Sequence, residues 1–76
     1  MKDLLVYIAK QLADRTDEIS VTERELESGT VFVLRVASGD MGKIIGRHGR
    51  MAKDIRTLMR AAGKRQGKRV SVEIMG

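Results

Sequence analysis

Two glycines three positions apart, Gly46 and Gly49, enclose Arg47 and His48, with Lys43, Arg50 and Lys53 close on either side. A chain that leaves one helix and enters another within four residues needs φ/ψ values that a Cβ obstructs, so Gly46 suits the end of a first helix and Gly49 the start of a second. Arg47 and His48 then have no apolar face to join and point to solvent or to a ligand. A bare turn also lets another polymer's backbone come close, and the first amides of the following helix offer unsatisfied N–H donors and the positive end of a dipole. That combination is chemistry for phosphate.

Other chemistries lack their parts. His48 is the only histidine and there is no cysteine, so neither a His-based metal cluster nor a cysteine dyad can be assembled. No G-x-x-x-x-G-K-[ST] loop is present, and without a base-orienting partner a lone histidine is no catalyst. The expectation is a protein that is not an enzyme and carries no cofactor or metal. A second G-x-x-G, Gly39-Asp40-Met41-Gly42, encloses an aspartate that repels phosphate and reads as the start of the first helix. Gly42 and Gly46 match the membrane-helix G-x-x-x-G pattern, but with Lys43 between them and no long apolar stretch the match carries nothing.

Charge supports the phosphate reading. The net charge of +5 is unevenly placed: residues 1–40 hold five Lys/Arg against eight Asp/Glu, whereas residues 41–69 hold ten against Asp54 alone. A positive field concentrated around the glycine turn favours an acidic partner, nucleic acid above all. An anionic membrane surface is the weaker rival, because the basic segment lacks the large apolar face that an interfacial helix needs. The apolar run in Met1–Ala9 is short and charged at both ends, so no membrane insertion is expected; with the absence of cysteine this fits a cytoplasmic protein.

The elements that position the turn follow from periodicity. Leu4, Leu5, Ile8 and Leu12 recur at helical spacing, giving an N-terminal helix over about 2–14. Ile19 and Val21 alternate with polar residues through Glu23 and Glu25, as in a charge-protected edge strand. Glu27-Ser28-Gly29 supplies a hairpin turn. The next strand, Thr30 to Ala37, faces Phe32, Leu34 and Val36 inward and Val31, Val33 and Arg35 outward. Ser38-Gly39-Asp40 offers helix N-caps. A short helix over about 41–45 is followed, after the turn, by a longer one from about Arg50 to Ala62. On that helix Met51, Ile55, Leu58 and Ala62 form the inward face, with Ala52 and Met59 at its margin, and Lys53, Arg56, Arg60 and Lys64 form a basic stripe opposite. Residues 63–67 read as the exit loop, before a last strand with Val70, Val72 and Ile74 inward. In 76 residues there is room for one domain. The class is α+β, order α-β-β-α-α-β, with a three-stranded mixed sheet and helices packed on one face. The other face, with Val31, Val33 and Met75, is then exposed or covered by another subunit.

The run Ile44-Ile45-Gly46-Arg47-His48-Gly49 followed by Lys53-Asp54-Ile55-Arg56 resembles the signature of the KH domain, whose G-x-x-G loop clamps about four backbone nucleotides of RNA. The preceding helix and hairpin resemble the type II arrangement. Asp40-Met41-Gly42-Lys43 and the length resemble the KhpA family of small single-KH bacterial RNA-binding proteins. The resemblance implies a KH core over about 30–76 and a backbone-gripping loop of Gly46, Arg47, His48 and Gly49, flanked by Lys43, Arg50, Lys53 and Arg56. It implies an apolar platform from Ile44 and Ile45, with the central strand as the far wall of the groove. It further implies single-stranded RNA as ligand and a role as RNA chaperone or post-transcriptional regulator linked to cell elongation and envelope growth. The implied partner is a second copy or the larger Jag-type KH protein, KhpB. Two departures stand out: His48 replaces a more familiar lysine or glutamine, implying weaker and pH-dependent phosphate affinity, and no proline precedes Asp40.

Two rival readings remain at this level. Two helices joined by a short glycine turn also describe a helix-turn-helix DNA binder, although Arg50, Met51 and Lys53 are poor base readers. A protein-interaction adaptor whose charge only confers solubility is the other, and it requires no salt-dependent RNA binding.

Overall fold

The computed structural model describes residues 1–76. Its elements are α1 (Lys2–Leu12), β1 (Ser20–Leu26), β2 (Gly29–Arg35), α2 (Met41–Ile45), α3 (Arg50–Arg65) and β3 (Val70–Met75). Single 3₁₀ turns at Thr16–Glu18, Ser38–Asp40 and Arg47–Gly49 take up the short connections. The three strands lie in the order β1-β2-β3. The hairpin pairs β1 antiparallel to β2, with Glu23 opposite Phe32, and the α2–α3 crossover returns β3 parallel to β2, with Val72 beside Phe32. This is the α+β class and α-β-β-α-α-β order expected from periodicity.

Side-chain alternation decides which face the helices cover. Phe32 and Leu34 of β2 and Val70 and Val72 of β3 turn inward and form one cluster with Leu5 and Ala9 of α1, Ile44 of α2, and Ile55 and Met59 of α3. The opposite sheet face carries Val31 and Val33. Val33 is only 6% exposed although no helix lies over it; Thr22 and Glu73 flank it in register and shield it. Met75 on the same face remains exposed.

The long helix differs from its sequence reading in two ways. Its buried residues are Ala52, Ile55, Met59 and Gly63, and Leu58, expected inward, is 55% exposed. The apolar face is rotated towards the small residues because α3 lies close on the sheet. The second difference explains the first. Gly63, expected in the exit loop, is buried inside the helix, which runs on to Arg65. A Cβ on Gly63 would stand 2.5 Å from Val70 Cγ2 and 3.1 Å from the Lys68 carbonyl oxygen. The glycine is a point of close approach between helix and strand, and its helix-breaking tendency is outweighed by that packing.

Gly63→Ala tests this packing. Alanine is the better helix former by about 0.5–1 kcal/mol, yet the forced overlap costs about 1–3 kcal/mol. A lowered urea midpoint at unchanged m-value is the expected result; a raised midpoint would mean that α3 and β3 can part without cost.

Candidate nucleic-acid interface

The turn between α2 and α3 is shaped by left-handed backbone. Gly46 has φ +75°, His48 φ +58° and Gly49 φ +74°. A Cβ on Gly46 would lie 2.5 Å from Met51 Cβ and 3.0 Å from the Met51 amide nitrogen, so the turn folds directly onto the first turn of α3. Around Gly49 a Cβ would meet nothing within 4 Å. One glycine is needed to close the turn, and the other leaves an open ledge. Histidine is among the few non-glycine residues that adopt this backbone region readily, which accounts for its place at the tip.

The turn's amides divide into used and unused. Gly46 N–H donates to the Gly42 carbonyl at 2.9 Å and Gly49 N–H to the Gly46 carbonyl at 3.2 Å. The amides of Arg47 and His48 have no partner in the protein, and both residues are exposed. Two adjacent free N–H groups in a turn with left-handed backbone are the elements from which backbone anion sites are built. Arg50, Lys53 and Arg56 follow at helical spacing on the exposed face of α3, and none of them, nor Arg47, pairs with a carboxylate.

Arg56 occupies a junction. Thr30 N–H donates to the Arg69 carbonyl and Val36 N–H to the Met75 carbonyl, so the odd-numbered residues of β3 turn their backbone to β2. The even-numbered ones turn theirs to the free edge. Arg56 Nε donates to the Val72 carbonyl on that edge at 3.2 Å. The strand with an open edge beside α3 is therefore β3. The central β2, expected as the far wall of a groove, has neighbours on both sides.

Two site residues, and one helix cap beside them, are placed differently from expectation. Ile44 is fully buried in the core, which leaves Ile45, 38% exposed, to offer the apolar surface. Lys43 donates to the Asp14 carboxylate and stands 3.8 Å from Asp40 Oδ1. The hydrogen bond to Asp14 raises its pKa above the ordinary 10.5, against a smaller opposing effect of burial. Lys43 is therefore already engaged by carboxylates, unlike the cations of the α3 row. Asp40, expected to cap α2, makes no side-chain cap. Its carboxylate, only 3% exposed, accepts the Arg15 N–H at 2.9 Å. That bond is the main reason its pKa lies below the ordinary carboxylate value, with Lys43 adding to it. Asp40 thus ties the chain leaving α1 to the start of α2, beside the turn. An aspartate three residues before a lysine was visible in the sequence; its distant partner Arg15 was not.

A family model described as KhpA/KhpB, KH domain, matches residues 2–74. The RNA-binding protein KhpA of Clostridium acetobutylicum is 51% identical over 75 residues, covering 99% of this chain and 100% of that protein. The proteins of the same name from Aquifex aeolicus and Treponema pallidum are 44% and 43% identical, covering 99% and 97% of this chain and 95% and 92% of theirs. No solved structure matches significantly.

The Asp40 tether makes a pH prediction. A carboxylate whose folded pKa is depressed stabilises the fold above its unfolded value, near about 4, and that stabilisation is lost as pH falls through the folded value. Asp40→Asn keeps an acceptor for Arg15 but loses the charge. Its thermal midpoint should be lower than the parent's at neutral pH and decline less steeply below about pH 4; parallel acid limbs for the two proteins would remove Asp40 from this role.

Proposed function

Since the chain belongs to the KhpA/KhpB family of KH-domain proteins, we propose that it binds single-stranded RNA by gripping the sugar-phosphate backbone at the Gly46–Gly49 turn. The observation that carries the reading is the pair of unpartnered amides of Arg47 and His48, both exposed residues, at the head of an unpaired row, Arg50, Lys53 and Arg56. Backbone amides and side-chain cations meet phosphate oxygens, and the unstacked bases lie against Ile45 and the free edge of β3. Phe32 is in the core and the one tyrosine is on α1. Recognition on aliphatic rather than aromatic surface is consistent with a KH groove and not with modules that stack bases on rings.

The relatives' name, RNA-binding protein, supports RNA over duplex DNA. So does the mixed sheet beside α3, which a helix-turn-helix unit does not require. The work of such a protein is that of an RNA chaperone or post-transcriptional regulator, acting in the cytoplasm and bearing on cell elongation and envelope growth. A groove for about four nucleotides gives little affinity alone, and a second KH domain, from another copy or from KhpB, multiplies it through effective concentration. Leu4, Tyr7 and Leu58, large and exposed, leave apolar surface for such pairing. No helix is long and apolar enough to cross a membrane.

Arg47→Asp with His48→Asp changes exposed side chains, so folding should persist while retention of single-stranded RNA is abolished. Retention equal to the parent's would refute the turn as the grip. With about three phosphates engaged, log affinity should fall with log salt at a slope on the order of −2; a flat response would favour an adaptor that uses its charge for solubility only. A duplex DNA competitor that displaces the RNA at equal concentration would favour the helix-turn-helix reading.

A further inference from the structure

The basic row does not stop near the turn. Arg60 and Lys64 continue it along the exposed face of α3, and at the far end they meet Lys68 and Arg69 of the α3–β3 connection around an open cleft of about 430 Å³. Gly67 and Val70 complete its lining, and no carboxylate does. The protein has three ion pairs, all of them on Arg15 or Lys43. None of the four cations of the cleft is held in an ion pair, unlike Lys43, which is held by two carboxylates; the nearest acids, Glu25 and Glu27, lie in the adjoining recess. We propose that this cleft is a second phosphate-binding site for the same RNA strand, so that the ligand runs the length of α3 instead of ending at the turn.

Arg50 and Lys64 are separated by fourteen residues of helix, about 21 Å at 1.5 Å per residue. Lys53, Arg56 and Arg60 bridge that span on one face, each a single turn from the next. Arg56, bonded to the β3 edge, keeps the middle of the track in place. The end of the track is marked as well. Glu25 and Glu27 of the hairpin line the adjoining recess with Lys68 and Arg69, and their charge repels a strand that would continue across the sheet. The segregation of sign thus both extends the path and terminates it.

This inference rests on the turn being an RNA grip, and the experiment separates the two. Salt dependence of binding is measured for an oligouridylate tetranucleotide and dodecanucleotide, because extra binding registers on a longer strand raise affinity without changing the slope. The parent protein should show a slope steeper for the dodecanucleotide by about 1.4–2, equivalent to two or three further phosphates. Lys64→Glu with Lys68→Glu should make the two slopes equal while leaving tetranucleotide affinity within about twofold of the parent's, and Lys64→Gln with Lys68→Gln should do the same without added repulsion. Lys2→Glu with Lys10→Glu, an identical change in net charge on α1, should leave the slope difference intact. Equal slopes in the parent, or an α1 variant that also abolishes the difference, would overturn the second site and leave the turn untouched. Loss of all length dependence together with tetranucleotide binding that survives Arg47→Asp and His48→Asp would instead remove the turn from the account.

Discussion

α3 is pinned at both ends by contacts that leave no room for a Cβ. At its start Gly46 lies against Met51, and near its end Gly63 lies against Val70. Between these points Ala52, Ile55 and Met59 are buried beneath the helix, so rolling or lifting it would open space in the core. Everything that bears on a ligand inherits this constraint. The roll of α3 aims the row from Arg50 to Lys64 outward, and its lean towards β3 brings Arg56 within hydrogen-bond reach of the strand's free edge. In a protein of this size, with no cysteine and no cluster of side chains that could hold a metal, close approach between backbone elements is the available source of rigidity.

The turn draws on the same rigidity. A left-handed histidine between two left-handed glycines would relax in a peptide, where the ordering entropy outweighs any local gain. Here α2, itself a single turn and a half long, is held from below by Ile44 in the core and from behind by Asp40. The buried carboxylate, its amide partner on Arg15 and the Lys43 ammonium form one connected unit. That unit fixes where α2 begins, and the closed Gly46 junction fixes where it ends. The free amides of Arg47 and His48 are thereby presented in one geometry, and little reorganisation is left to oppose a bound phosphate.

Much of this was legible in the chain itself, for physical reasons that can be named. Alternation around Phe32 and Leu34, and the helical spacing of Leu5, Ile8 and Leu12, are burial written directly into residue type, although Leu4 of the same series is exposed and Ala9 is buried. The glycine turn and its cations declare themselves by spacing. What stayed hidden depended on partners distant in sequence. Gly63 reads as a loop residue until Val70 is seen against it. Leu58 reads as core by hydropathy, whereas the glycine at 63 and the alanine at 52 draw the helix in on their own side. Asp40 looks like an ordinary cap until Arg15, twenty-five positions earlier, supplies the amide it accepts. Lys43 looks like one more ligand for phosphate until Asp14 claims it. The far cleft was half visible: Arg60 and Lys64 stand on the stripe, but only folding brings Lys68 and Arg69 round to meet them.

The scarcity of ion pairs has a practical corollary. Two of the three involve exposed partners on both sides, and such pairs contribute little to folding, which rests on the apolar cluster instead. Ionic strength therefore acts on charge attraction and on architecture through different forces: screening weakens any attraction between the basic row and a polyanion while burial of hydrocarbon is left intact or strengthened. A fold held in this way keeps its architecture at ionic strengths that would release a bound polyanion.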